Sequence, residues 1–398
     1  MCTRFAISLF PPILTLLLVF GARAAAEEDP DDWEAEIEEI EREWEELERE
    51  WEEFLDMETP AWMPVFSVQA GIGYNDNVLR GNSSRQDSFF AHTGIDFMLW
   101  RNPEEEGPAL HFFLMGENRH YFSNGDLNDE RLLSLHAEAT FDLATEWSLT
   151  LPLDTFYHDE LVDVSTREED LGIVRFQGAG LRFEPTLQYE PSDTDQLRAK
   201  LISRHVFLRD PLDDYREIGL GIGWEHNASA ATTLTLEWRG VHRRYATREA
   251  LDSDGAPIAG RRREFVIHNL TGGLRHFWDE ARRWESRFGG GIEITRDGED
   301  GFFDFHRPIL SHRLIFRQTP WRISAGTRLS HYRFDEWTVE PDDETLERTT
   351  VNADVRGEYQ LFDRMQLFAE YRHDNVYTNE RSASYRVNTA LLGAEWMF

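Results

Sequence analysis

The chain has 398 residues, 40% hydrophobic, 13% aromatic and 29% charged, with a formal net charge of −34. Aromatics at that density exclude wholesale disorder, and a mean hydropathy of −0.55 excludes a bundle of membrane helices, each needing about 20 apolar residues in a row. The negative charge excludes unassisted binding to a nucleic-acid backbone, and a single cysteine, Cys2, leaves no disulfide framework and no cysteine-ligated metal site.

Arg4, an apolar run from Phe5 to Phe20 and then small residues are the three parts of a secretory signal peptide, so residues 1–26 are expected to be removed on export. A membrane anchor is the other reading. Against it stand Pro11-Pro12 and a run short of the length of a span. Cys2 would leave with the signal, and an exported chain without thiols is coherent.

Residues 27–61 are expected to form a short acidic α-helix. Trp33, Ile37, Ile40, Trp44, Leu47, Trp51 and Phe54 make an a/d heptad seam on an otherwise glutamate-rich surface. The 14 acids from Asp32 to Asp56 face only Arg42 and Arg49, so the lone helix repels itself. Its apolar stripe, residues 33–54, calls for its own copies or a periplasmic partner; a solvated or disordered lead-in is the alternative.

From Met63 onward the period changes from 3.5 to 2. Leu133, Leu135, Ala137, Ala139, Phe141 and Leu143 alternate with Ser134, His136, Glu138, Thr140 and Asp142. The pattern recurs over Val65–Tyr74, Ser88–Trp100, Ala109–Tyr121, Trp147–Tyr157, Gln177–Tyr189, Leu197–Phe207, Tyr215–Trp224 and Thr232–Val241. It continues over Phe265–Phe277, Trp284–Ile294, Pro308–Gln318, Trp321–Arg333, Thr350–Leu361, Met365–Tyr371 and Ser384–Phe398. Sixteen such segments, most of about 10–14 residues, exceed the usual soluble strand of about 5–6 and match the about 9–11 of a tilted membrane strand. The fold class is therefore all-β: a transmembrane antiparallel up-and-down barrel of about 16 strands over residues 62–398. A soluble sandwich or propeller, whose apolar faces would meet in a dry core, is the competing fold.

Connections after even segments are short, such as Ala144–Glu146, Thr319–Pro320 and Phe362–Arg364, whereas those after odd segments include the long, polar His158–Phe176, His242–Glu264 and Phe334–Arg348. This alternation is that of periplasmic turns and extracellular loops, and an even strand count puts both ends of the barrel on the periplasmic side. Trp100, Trp147, Trp224, Trp284, Trp321 and Trp396 then all fall at the short-turn level, as an aromatic girdle at a membrane interface.

The chain ends Leu391-Leu392-Gly393-Ala394-Glu395-Trp396-Met397-Phe398. This resembles the C-terminal signal of bacterial outer-membrane barrels, matched by Gly393, Trp396 and Phe398, although Leu391 stands where that signal has a polar residue. The resemblance implies recognition by the barrel-assembly machinery. Gly71-Ile72-Gly73-Tyr74-Asn75-Asp76-Asn77-Val78 resembles the GxxYxDNV opening of outer-membrane barrel porins, including the type 2 β-barrel porin family often associated with exopolysaccharide loci. Exporters of surface lipoproteins open similarly, and a tight Asn-Asp-Asn turn produces the motif without shared function.

By alternation the inward bases are Arg182, Arg198, Lys200, Arg204, Arg239, Arg275, Arg287, Arg313, Arg328, Arg356 and Arg372. The inward acids are Glu117, Glu138, Glu184, Glu217, Glu225, Glu237, Glu285, Glu293, Glu358 and Glu370. A polar, nearly neutral wall either passes polar solutes and rejects apolar ones or pairs its charges across strands and selects nothing. The loops His158–Phe176 and His242–Glu264 are the expected constrictions of an otherwise aqueous pore. Acidic runs such as Arg167-Glu168-Glu169-Asp170 and Asp342-Asp343-Glu344 suit divalent cations beside lipopolysaccharide, or plain solvated surface. His158-Asp159 and His373-Asp374 lack a nucleophile motif, and Asp252–Gly255 and Asp297–Gly301 lack a calcium loop's ligand spacing. No catalytic, cofactor or metal site is expected.

The expected function is a porin-like outer-membrane channel for passive diffusion or export of polar solutes, with polysaccharide as one candidate. The alternative is a barrel that anchors a periplasmic partner through its N-terminal helix. Outer-membrane lipid and lipopolysaccharide are the expected surroundings.

Overall fold

The computed structural model describes residues 62–398, apart from 83–84, 102–106, 123–127, 164–172, 210–211 and 340–343. The signal peptide, the heptad segment 33–54 and the acidic runs at 167–170 and 342–343 lie outside the described residues.

The strands are β1 (Trp62–Asn75), β2 (Ser88–Arg101), β3 (Ala109–Tyr121), β4 (Asp129–Ala144), β5 (Trp147–Asp163), β6 (Ile173–Phe183), β7 (Thr186–Ser192), β8 (Asp195–Leu208) and β9 (Tyr215–Ser229). They continue with β10 (Thr232–Leu251), β11 (Pro257–Phe277), β12 (Trp284–Asp297), β13 (Phe305–Gln318), β14 (Trp321–Val339), β15 (Glu344–Phe362), β16 (Met365–Thr378) and β17 (Tyr385–Met397). β6 and β7 both pair with β5 on one side and β8 on the other. They form one crossing, interrupted at Glu184-Pro185, where proline brings no N–H to the ladder. Sixteen antiparallel crossings result. The ring closes where β17 returns to β1 in the register Ser67↔Met397 through Asn75↔Thr389, which leaves no free edge.

Closure fixes what alternation means. Directly opposed residues of antiparallel strands share a face, so one set of side chains runs around the outside of the ring and the other around the inside. Ile72, Leu201, Ile218, Leu220, Ile222, Leu310 and Leu392 are 54–67% exposed and occupy the outer set. Arg239 and Glu184 occupy the other, and their charged ends are 3.5 Å apart although β8 and β9 separate β10 from the β6–β7 crossing. Only the concave side of a curved sheet allows that reach.

Two segments differ from the sequence reading. His242–Glu264 is not a loop: β10 runs on to Leu251, β11 starts at Pro257, and a tight turn at Asp252–Ala256 joins them, with register shifts between Arg244 and Ala250. Phe334–Arg348 likewise consists mostly of β14 and β15. Beyond the apolar band both faces of a hairpin can be polar, so the period-2 signal disappears while backbone pairing persists. His242–Glu264 is therefore a paired extension of β10 and β11.

Outside the crossings, the amides of Thr247 and Arg248 and the Thr247 hydroxyl donate to Asp213. Burial opposes the charge, but these three donors hold the carboxyl below its ordinary range. The loop before β9 is thereby tied to β10.

Candidate functional site

The inner wall is the largest collection of interacting charged side chains in the described residues. Arg182 pairs with Asp154 at 3.0 Å and Arg313 with Asp354 at 3.0 Å. Arg356 bridges Glu358 at 2.7 Å and Glu370 at 3.1 Å, and Arg372 also meets Glu370. Arg198 pairs with Glu225, Lys200 with Glu237, and Arg287 with Glu285. Glu117 lies 3.9 Å from Arg119, and Glu138 lies 3.7 Å from His136. Arg275 instead donates to the Thr233 hydroxyl at 3.1 Å. Arg328 opposes Ser311 and Asn352 on the same face, is exposed, and has no ion pair among the described residues. The wall is thus a lattice of ion pairs, some between strands and some two residues apart on one strand, with Arg328 left uncommitted among the described residues.

One part is packed more tightly. Glu217 is 3% exposed and sits among Arg243 at 2.6 Å, Arg204 at 3.8 Å and Arg239 at 3.9 Å. The Arg243 guanidinium also stacks over the Tyr215 ring at 4.7 Å. Glu293 pairs with Arg307 at 3.2 Å, and Arg307 donates to the Tyr332 hydroxyl at 2.5 Å. These charged groups, with Tyr332, Phe265, Phe303 and Phe305, line a cavity of ≈ 200 Å³; a second cavity, of ≈ 320 Å³, is lined by Arg313, Asn352, Asp354, Arg356, Glu370, Arg372 and Asp374. Arg243 lies in the stretch where hydropathy no longer alternates, so the sequence does not assign it a face. Arg307 precedes Pro308, where alternation starts, although the strand itself begins at Phe305.

Apolar side chains also narrow the interior. Val78 and Leu79, from the connection after β1, pack with the inward-facing Phe90, Tyr121, Phe368 and Leu391, and with Leu161 of β5. Ile173, at the start of β6, packs on Val376, Tyr385 and Val387. Asp163, the last residue of β5, forms a buried ion pair with Arg348 of β15, a strand on the far side of the ring. The described ends of β5 and β6, Asp163 and Ile173, therefore meet residues from the far side of the ring. Phe302 and Phe303, between β12 and β13, fold into a further cluster with Tyr245, Phe334 and Trp337.

The opening motif anchors the first of these inward segments. The Asn77 side chain donates to the Gly81 and Arg386 carbonyls, each at 2.9 Å, and accepts from the Gly81 amide at 3.0 Å. Asp76 accepts from the Asn388 amide at 2.7 Å. Two consecutive residues thus staple the loop to itself and to β17, and carry Val78 into the interior. Asn77→Ala removes three hydrogen bonds around a fully buried side chain and is expected to cost about 1–3 kcal/mol locally. Limited trypsin digestion should then cut at Arg80 or Arg85 several times faster than in the wild-type chain.

The tryptophans divide by register. Trp147, Trp224, Trp284, Trp321 and Trp396 lie on the outer face at the short-turn edge and are 37–51% exposed. Three of them pair with outer aromatics that sequence reading did not single out: Trp147 with Tyr189 at 4.5 Å, Trp284 with Phe316 at 4.6 Å and Trp321 with Tyr359 at 4.7 Å. Trp100 shares the inner face with Asp96 and meets the His111 ring at 6.2 Å. At the C-terminus Trp396 and Phe398 point outward, whereas Gly393 points inward beneath the Phe368 ring; a Cβ there would come within 2.4 Å of that ring.

Neither His-Asp dipeptide forms a catalytic pair, because neighbours along a strand point to opposite faces. His158 contacts Glu160 at 2.8 Å while Asp159 holds Arg175, and His373 contacts Asn388 at 2.7 Å while Asp374 accepts from Asn352. In the Asp252 turn the carboxylate accepts the amides of Asp254 and Ala256.

No protein-family model and no curated protein matches the sequence. Among solved structures, the chain is similar to OccAB1 of Acinetobacter baumannii, with 8% identity, 85% of this chain and 97% of that chain covered, and a TM-score of 0.46. It is similar to OccAB4 of the same organism, with 8% identity, coverages of 84% and 98%, and a TM-score of 0.48. For the outer membrane protein OpdK of Pseudomonas aeruginosa the values are 9%, 84%, 99% and 0.43.

Proposed function

We propose that the protein is a porin-like channel of a bacterial outer membrane, through which polar solutes diffuse passively. The observation that carries this reading is the opposite chemistry of the two faces of one closed sheet. The outer face presents rows of leucine, isoleucine and tryptophan to the surroundings, whereas the inner face presents ion pairs to cavities. Burying that outer surface in lipid is worth about 25 cal/mol per Å², and it has no protein partner among the described residues.

The dimensions support the reading. On β9 the outward residues between Trp224 and Arg216 are Ile222, Leu220 and Ile218. Eight residues at about 3.3 Å span about 26 Å of strand, which at a tilt of about 40° crosses about 20 Å and fits within the apolar band of about 25 Å in outer-membrane barrels. The short turns then face the periplasm and the long hairpins the exterior. Inside, paired charges give polar solutes hydrogen-bonding partners while leaving little net field. Export of polysaccharide is the narrower form of this reading, and block of the current by oligosaccharides of increasing length tests it.

The purified full chain in planar bilayers should give stepwise ionic currents with a reversal potential near zero in a salt gradient. Insertion without conductance overturns the reading.

A further inference from the structure

Outside the pore, one row of side chains carries more positive charge than its one carboxylate, Glu264, balances. His205 of β8 stands directly opposite Arg216 of β9, Arg216 directly opposite Arg244 of β10, and Arg244 directly opposite Glu264 of β11. All four lie on the outer face. Directly opposed positions put Cβ atoms about 4.5–5.5 Å apart, and like charges there are destabilising. Two arginines are nevertheless placed side by side, next to a histidine.

The nearby acids do not cancel them. Glu264 is shared, with one oxygen 2.9 Å from Arg244 and the other 3.0 Å from His242. Glu217 neighbours Arg216 in sequence but points inward, into the cage around Arg243. Asp213 and Asp214, in the adjoining loop, accept the amides of Thr247, Arg248 and Leu208. Arg209, beyond His205 on the same face, donates to the neutral Gln177 side chain at 2.7 Å. Arg216 is exposed and has no ion pair among the described residues.

The surroundings decide the class of ligand. Immediately toward the short-turn side, the outer face carries Leu201, Ile218 and Leu220, 54–65% exposed, and Phe207 stacks on His205 at 4.2 Å. Cationic forks that end an apolar stripe match an anion that ends an acyl chain. Guanidinium groups bind phosphate through paired N–H donors.

We propose that His205, Arg216 and Arg244 form a binding site for the phosphate-monoester head group of a membrane lipid, whose acyl chains lie on Leu201, Ile218 and Leu220. The site rests on the membrane reading of the outer face, but it is separate from the pore and does not need the pore to conduct. The bound phosphate relieves the repulsion between Arg216 and Arg244, so the lipid stabilises the long-hairpin edge of the barrel.

The full chain in detergent is titrated with phosphatidic acid, with phosphatidylcholine of the same acyl chains, and with inorganic phosphate, and retention is read by native mass spectrometry. Saturable retention of phosphatidic acid is expected at least about tenfold tighter than of phosphatidylcholine, a difference of about 1.4 kcal/mol. Inorganic phosphate at equal concentration should not displace it. The double variant Arg216→Gln/Arg244→Gln should remove the preference, whereas the inward Arg328→Gln should retain it. Equal retention of the two lipids, displacement by inorganic phosphate, or an unchanged preference in the double variant each overturns the proposal. Should the double variant fail to fold, the wild-type competition between the lipids still decides. Conductance reads the pore independently, so loss of lipid preference with intact currents sinks this site alone.

Discussion

Leu220→Arg should fail to assemble in membranes. Leu220 is 54% exposed on the outer face, four residues from Trp224 and four from Arg216, which puts it near the middle of the apolar band. An arginine facing lipid at that depth costs about 2–4 kcal/mol, a large part of the stability of most folded domains. The expected result is loss of the compact, heat-modifiable form on gels and its replacement by unfolded or degraded chain. Thr150→Arg provides the contrast. Thr150 faces inward and bonds Thr140, with Asp142, Asp154 and Glu138 at nearby inward positions. A new guanidinium there finds water and carboxylates, so wild-type assembly is expected. Equal behaviour of the two variants would contradict the assignment of the faces.

Glu217→Ala is expected to cost about 3–5 kcal/mol, because it leaves Arg243, Arg204 and Arg239 clustered without their shared carboxylate. Arg243 suffers most: it is 8% exposed, stacks on Tyr215, and cannot turn outward without reversing a strand face. Unfolding in urea, followed by tryptophan fluorescence, should show a midpoint lowered by an amount consistent with that range. Adding Arg243→Met should restore part of the loss, since a buried ion pair replaced by apolar packing is often neutral. A double variant less stable than Glu217→Ala alone would show that Arg243 contributes through contacts other than this charge.

The strands were legible because one period repeats along the chain. Leu133 through Leu143 is the plainest case: β4 places every second residue of that run on the outside. The ends of the long hairpins were not legible. Between His242 and Glu264 polar residues occupy both faces, so backbone pairing continues where hydropathy no longer alternates.

The inward aromatics were hidden for another reason. Phe90 and Phe368 interrupt the polar inner row, and nothing in their own strands explains them. The explanation lies opposite, at Gly73 and Gly393, where a Cβ would come within 2.2 Å and 2.4 Å of those rings. Glycine opposite an inward ring, followed by an Asn-Asp-Asn turn, was the available signal for a loop entering the lumen. Trp100 was misassigned because position along a strand gives its height and not its face; counting by two from Asp96 places it inside.

That lipid wets the outer face and water the inner one is tested directly by spin-label accessibility along β4. In a Cys2→Ser background, single cysteines at positions 133 to 140 are labelled in reconstituted protein and exposed to oxygen, which partitions into lipid, and to a water-soluble nickel chelate. Oxygen collisions should peak at 133, 135, 137 and 139 and nickel collisions at 134, 136, 138 and 140, with a period of two throughout. Nickel access to both sets, or oxygen access absent from the odd set, would contradict it.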